Sequence, residues 1–176
     1  MSDSYEFREV THFTAGAVGE PGQRVFFLQI GDERGHVSVR LEKQQVRALG
    51  EFLRSVLDDL PAPPGPGPQA IALAEPTVAE WVVGHIAVGV AEAEAEVVLV
   101  VDELVPDADE DDDDEEPPEM LFDSEPDGAR LRAHINVAQA ASFIAAADEL
   151  MSKGRPPCKL CGQPLDPAGH ACPRLN

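Results

Sequence analysis

Four residues near the end of the chain carry its plainest chemistry. In RPPCKLCGQPLDPAGHACPRLN, residues 155–176, Cys158 and Cys161 are spaced as in a zinc knuckle, and Gly162 follows where the backbone must bend so that amides face the sulfur. His170 and Cys172 come after a short loop rich in Pro and Gly. Three thiolates and one imidazole complete a tetrahedral Cys3His set, the soft-ligand choice for zinc. Protein side chains fill all four positions, so the expected metal is structural. A redox Cys-x-x-Cys is the rival reading. It normally opens a helix between strands, a context that a proline-rich tail does not provide.

Outside the tail the candidates are weaker. His12, His36, His85 and His134 have no partner evident in the sequence, and each reads as a polar residue on a strand. His134 stands out because Arg132, His134 and Asn136 share the face opposite Leu131, Ala133 and Ile135, with Arg40 and Glu42 on the matching face of an earlier segment. Arg40, Arg132 and His134 are therefore the candidates for lining a pocket, against the alternative of a solvated strand face. Gly16, Gly19 and Gly22 lead into a strand instead of a helix, so a hairpin turn accounts for them without a phosphate cradle. No serine elbow, P-loop or His-Glu-x-x-His helix occurs. No catalytic residue is assigned.

The elements that must position these groups form a repeat. His12–Val18 and Arg24–Ile30 read as strands of a hairpin joined by GEPGQ. VFFLQI, apolar at nearly every position, marks a middle strand covered on both faces. In the third strand Val37, Val39 and Leu41 oppose Ser38, Arg40 and Glu42. From Lys43 the period becomes helical, with Val46, Leu49, Leu53, Val56, Leu57 and Leu60 on one stripe until Pro61. PAPPGPGPQA then serves as a linker between two halves. Beyond it the design returns: EWVVGHIAVGV at 80–90, AEVVLVVDEL at 95–104, a strand from Arg130, and a helix capped by Asn136 and Gln139 that stops before Gly154. Phe13 matches Trp81, Gly16 matches Gly84, Leu41 matches Ile135, Gln45 matches Gln139 and Leu49 matches Phe143.

The expected fold is α+β: two tandem strand-strand-strand-helix units related by a pseudo-twofold, with about six antiparallel strands, two helices and a small zinc-knuckle-like tail. The divisions are a first unit over 1–60, a Pro/Gly-rich linker over 61–75, a second unit over 76–154 and the tail over 155–176. One helix covers one face of each three-stranded sheet. The other face must meet the other half or a second molecule, which makes a homodimer an alternative.

Charge bounds the partners. Thirteen Lys and Arg stand against 33 Asp and Glu, a net charge of −20, and ten of those acids lie between Asp107 and Glu119. That run interrupts the second unit at about 105–127 and reads as a disordered acidic hairpin insertion, because it buries nothing and repels itself. It lacks the spaced ligands and turn glycine of a calcium loop. A basic nucleic-acid surface over the main body is disfavoured. No apolar run approaches the ~18 residues of a membrane span, and MSDSYEFREVTHF lacks the pattern of a secretory signal. Three cysteines, all in the last 19 residues, argue against a disulfide framework. The expected location is cytoplasmic.

FTAGAVGEPGQRVFFLQ, LEKQQV and PPCKLCGQPLDPAGHACPRLN together resemble an actinobacterial family known as a domain of unknown function, over essentially the whole chain. The resemblance implies a cytoplasmic actinobacterial protein and no established activity. Members of that family are often encoded beside a lipid-kinase-like protein and a histidine-phosphatase-like protein, which offers a context for partners.

Three functional readings follow, in this order. The first is a non-catalytic interaction or adaptor protein with an unidentified protein partner and a structural zinc in its tail. The second is a small-molecule-binding protein or enzyme using a pocket between the repeats at Arg40, Arg132 and His134. The third is nucleic-acid binding through the tail, where Lys153, Arg155, Lys159 and Arg174 are locally basic; the net charge of −20 opposes it.

Overall fold

The structure, a computed structural model, describes residues 2–20, 22–58, 69–91, 96–106, 125–153, 158–161 and 172–174. The first unit contains β2 (His12–Val18), β3 (Val25–Asp32), β4 (Gly35–Leu41) and α1 (Lys43–Asp58). The second contains β5 (Ala79–Ala91), β6 (Glu96–Glu103), β7 (Arg130–Asn136) and α2 (Val137–Ser152). Each unit is an antiparallel meander followed by a helix. A short β1 (Tyr5–Phe7) precedes them.

All seven strands belong to one mixed sheet, in the order β1-β7-β6-β5-β4-β3-β2. The expectation of about six antiparallel strands is refined in two ways. β4 pairs with β5 in parallel, because α1 carries the chain back to the end where β4 began and β5 must then run the same way. β1 adds itself in parallel to β7, with Tyr5 opposite Leu131 and Phe7 opposite Ala133. At three residues it is too short to show a period in the sequence.

This order forces the sheet to curl. A flat sheet of seven strands would span about 29 Å from edge to edge, whereas the five Cα steps from Phe7 to His12 reach at most about 19 Å. β1 and β2 nevertheless occupy the two edges. The edges are brought together accordingly: β1 touches β3, and the Thr11 amide donates to the Gly31 carbonyl at 2.9 Å. The two helices cross on the inner, concave side. Gly50 lies so near Ala147 that a Cβ there would stand 3.3 Å from the alanine methyl. Arg54 reaches Asp148 across the same crossing at 2.8 Å. One core fills the space, with Leu28, Val39, Leu99, Leu131, Leu53 and Phe143 fully buried, and Phe13 stacks on Phe143 at 4.6 Å between ring centres.

The capping glutamines explain why Gln45 and Gln139 match in the repeat. The Asn136 amide donates to Gln139 Oε1 at 3.0 Å while the Gln139 amide donates to Asn136 Oδ1 at 2.9 Å, the anticipated capping box. At the other helix the Glu42 amide donates to Gln45 Oε1 at 2.8 Å. Each glutamine then uses its Nε2 to reach across. Gln45 donates to the Val83 and Gly84 carbonyls of the second unit at 3.4 and 3.3 Å, and Gln139 donates to the Val10 carbonyl that leads into the first.

The outer face of the first unit is covered within the chain. Thr14, Gln29 and Ser38 on that face are buried polar residues. Thr14 Oγ1 donates to the Ile71 carbonyl at 2.5 Å, and Gln29 pairs with both sides of the Ala74 peptide, donating to its carbonyl at 2.9 Å and accepting its amide at 2.7 Å. Gln29 Nε2 also donates to Ser38 Oγ at 2.9 Å. Leu73 seats directly over Gly16, where a Cβ would come within 2.3 Å of its Cγ. Residues 71–77, which the sequence places partly in the linker, are thus a strap that supplies the second cover required by the apolar β3. The residues of the acidic run between Asp107 and Glu119 lie outside those described. Its neck is held by the Leu104 amide on the Val82 carbonyl at 2.7 Å and the Glu103 amide on the Ala129 carbonyl at 2.8 Å.

Two outcomes test this construction. Gln29→Leu keeps the volume and strands the Ala74 peptide, so equilibrium urea unfolding is expected to show a loss of about 2–4 kcal/mol. At the neck, hydrogen bonds from Ser2 Oγ and the Ala129 amide hold the Glu103 carboxyl below the usual carboxylate range. A depressed folded pKa stabilises the protein above the unfolded value of about 4.3 and loses that contribution as pH falls through the folded value. Glu103→Gln is therefore expected to flatten the acid limb of a stability-against-pH profile, read by thermal unfolding.

Candidate metal centre

The tail departs from the end of α2, whose last turn is tied to the sheet. The Lys153 amide donates to the Glu149 carbonyl at 3.2 Å, and Arg24, just before β3, donates Nη1 to the Lys153 carbonyl at 3.0 Å. A guanidinium at this end of a helix satisfies an orphan carbonyl and complements the negative end of its dipole.

The described parts of the tail bring the three cysteines together. The Sγ atoms of Cys158, Cys161 and Cys172 all lie within 4.8 Å of one another, and those of Cys158 and Cys172 are 4.0 Å apart. Zinc–sulfur bonds of about 2.3 Å in a tetrahedron set neighbouring sulfurs about 3.8 Å apart, so this cluster needs little adjustment to hold such an ion. Cys172 is buried, whereas Cys158 and Cys161 are half-buried. The knuckle is formed as well: the Leu160 amide points at Cys158 Sγ from 3.5 Å. Backbone N–H groups of Cys161 and then Leu160 hold the Cys158 thiol below its usual range, with smaller help from the other two thiols. Amides directed at a sulfur favour the thiolate that a metal requires. His170, the fourth ligand expected from the sequence, lies outside the described residues, as does Gly162.

The other candidate residues are distributed over the outer side of the sheet. Arg40 is exposed on β4 opposite Val82 of β5, whereas Arg132 and His134 are half-buried on β7. β5 and β6 separate these strands, so the sheet does not bring Arg40 beside the other two. His134 Nδ1 meets Glu96 at 2.8 Å, a contact that the sequence hides because the partners are 38 positions apart. At the other end of the β6–β7 pairing Arg130 grips Asp102 with hydrogen bonds of 2.6 and 2.8 Å. His12 contacts Gln29 Oε1 at 2.7 Å and His36 approaches the Pro76 carbonyl at 3.4 Å, both at the margin of the strap. His85 is exposed.

Comparison with known proteins adds one finding. Residues 5–172 match the model of a family described as protein of unknown function (DUF3090). The chain belongs to this family. No curated protein and no solved structure matches it. The family match runs from the first residue of β1 to the third thiol of the cluster, so the curled sheet and the cysteines fall within one family unit. Among the described residues no helix is long and apolar enough to cross a membrane.

The knuckle amide gives a direct test of the centre. Leu160→Pro removes the N–H aimed at Cys158 and is expected to weaken metal affinity about 10–100-fold. Leu160→Ala keeps the amide and is expected to bind as tightly as the parent, both read by competition with a chromogenic chelator.

Proposed function

We propose that the protein is a cytoplasmic, non-catalytic interaction protein whose C-terminal tail is organised by one structural zinc ion. Cys158, Cys161 and Cys172 hold the ion and His170 completes the set. The observation that carries this reading is the convergence of three soft donors within 4.8 Å at the end of a chain with little other chemistry gathered in one place. A closed set of four side chains leaves no position for water or substrate, which argues for a structural role. So short a tail has little core, and metal binding would supply much of its folding free energy. The partner surface that suits the chain best is basic, since complementary potential favours encounter with a protein of net charge −20.

Elemental analysis of the untagged chain beside Cys158→Ser/Cys161→Ser tests the metal. One zinc per chain is expected in the parent and none in the double variant, with far-ultraviolet circular dichroism of the sheet and helices unchanged. Absence of zinc from the parent, or its retention by the variant, overturns the centre. A defined turnover abolished by one substitution would overturn the non-catalytic role.

A further inference from the structure

We infer that the free edge of β2 is a docking site for an extended segment of a partner protein, which joins the sheet there as one more strand. The segment carries small apolar side chains and at least one Lys or Arg. This surface gives the interaction reading above its partner site and makes no use of the metal.

β2 ends the sheet order, with β3 on one side and no strand on the other. The Thr11 amide donates to the Gly31 carbonyl, so Gly31 turns its backbone groups toward β2, and by alternation Gln29, Phe27 and Val25 do the same. Their partners Thr14, Gly16 and Val18 face back. Ala15 and Ala17 therefore direct their N–H and C=O groups away from β3. Among the described residues no backbone group meets them.

That edge is the floor of a groove of about 480 Å³, lined by residues 15–18. Ile71 and Leu73 of the strap stand on one side of it, and Ala146 and Leu150 of α2 on the other. The strap covers the outer face of β2 while α2 packs on the inner one, so a space bounded by both opens at the edge. Val18 and Ile71, both in its lining, are exposed apolar side chains.

The floor dictates the occupant. Edges that stay solitary are blunted by charge, proline or a bulge. HFTAGAV has no charged residue, no proline and an unbroken register, whereas the opposite edge, β1, has three residues centred on Glu6. Outward amides and carbonyls in alternation are matched by another backbone in the extended conformation. A second copy is a poor fit, because each edge lies between its own strap and its own α2, and those walls meet before two edges come within the about 4.8 Å of paired strands. The stretches of this chain that begin beside the groove, PAPPGPGP before the strap and RPP after α2, are poor in the amides that pairing needs. Glu75 and Glu149 line the groove against Lys153 alone, and the chain carries −20, so a cationic segment is favoured.

The test selects a phage-displayed library of random eight-residue peptides on the full chain and measures the synthetic winner by fluorescence anisotropy. Methylating its amide nitrogens one at a time is expected to weaken binding about tenfold at every second position and little between them. Ala17→Pro removes an outward amide at an edge position that tolerates proline, and is expected to weaken binding about tenfold with circular dichroism unchanged, while Ala17→Ser binds as the parent does. Should Ala17→Pro fail to fold, Ile71→Arg, at an exposed side chain, locates the peptide by repelling its cation. No selected peptide, methylation without alternation, or full affinity for the folded groove variants overturns the site. A dimer that Ala17→Pro dissociates assigns the edge to a second copy and overturns the foreign partner. A turnover abolished by one substitution sinks the non-catalytic reading alone and leaves an alternating methylation pattern standing.

Discussion

The parallel seam between β4 and β5 is the constraint on which the rest of this structure depends. Two meanders could in principle face one another as separate sheets. Instead the return path through α1 lays the second beside the first in the same direction, and seven strands become one surface. The seam is sparse, with Ser38 opposite Ala79, Arg40 opposite Val82 and an irregularity between them. Gln45 reinforces it from above, by fixing the start of α1 and grasping the β5 backbone at once. Gln139 performs the equivalent double task at the opposite side of the molecule. The two glutamines thus make the same pair of contacts, each capping its own helix and reaching into the other half.

Curling follows from the seam and from the position of β1. With the sheet packed against α1 and α2, apolar side chains of every strand, Phe7 of β1 included, share a single core. Each large buried side chain contributes about 1.5–3 kcal/mol of transfer free energy. The convex side poses the opposite problem, because Thr14, Gln29 and Ser38 present polar atoms that must be paired once water is removed. The strap meets that demand with peptide groups of its own, so an otherwise irregular segment and a polar sheet face satisfy each other. Trp81 Nε1 is the buried side-chain atom for which the described residues offer no partner.

Much of this was legible before any coordinates. Hydrophobic period and capping chemistry located β2 to β7 and both helices, since those signals are local; Gly16 and Gly84 were matched as repeat positions, but Gly16, assigned to a hairpin turn, lies inside β2. Gly84 lies under Leu104, whose Cα would be 2.9 Å from an added Cβ, much as Gly16 lies under Leu73. What crosses them was not legible, because a glycine records that space is needed without naming its occupant. The three thiols were legible for a similar local reason, as ligand spacing within a short tail constrains geometry strongly. Arg40, Arg132 and His134 were grouped by alternation alone. Alternation fixes a face and says nothing of how many strands lie between, so Glu96 as the partner of His134 emerged only with the register.

The neck at Glu103, Leu104 and Ala129 has an architectural consequence. Backbone hydrogen bonds tie Glu103 to Ala129 and Leu104 to Val82, so the pairing of β6 is closed at its end by described residues. Loop-closure entropy grows only with the logarithm of length, about 0.6 kcal/mol for each doubling. A neck closed by its own backbone pairs is the place in this sheet where a change of loop length is expected to cost least.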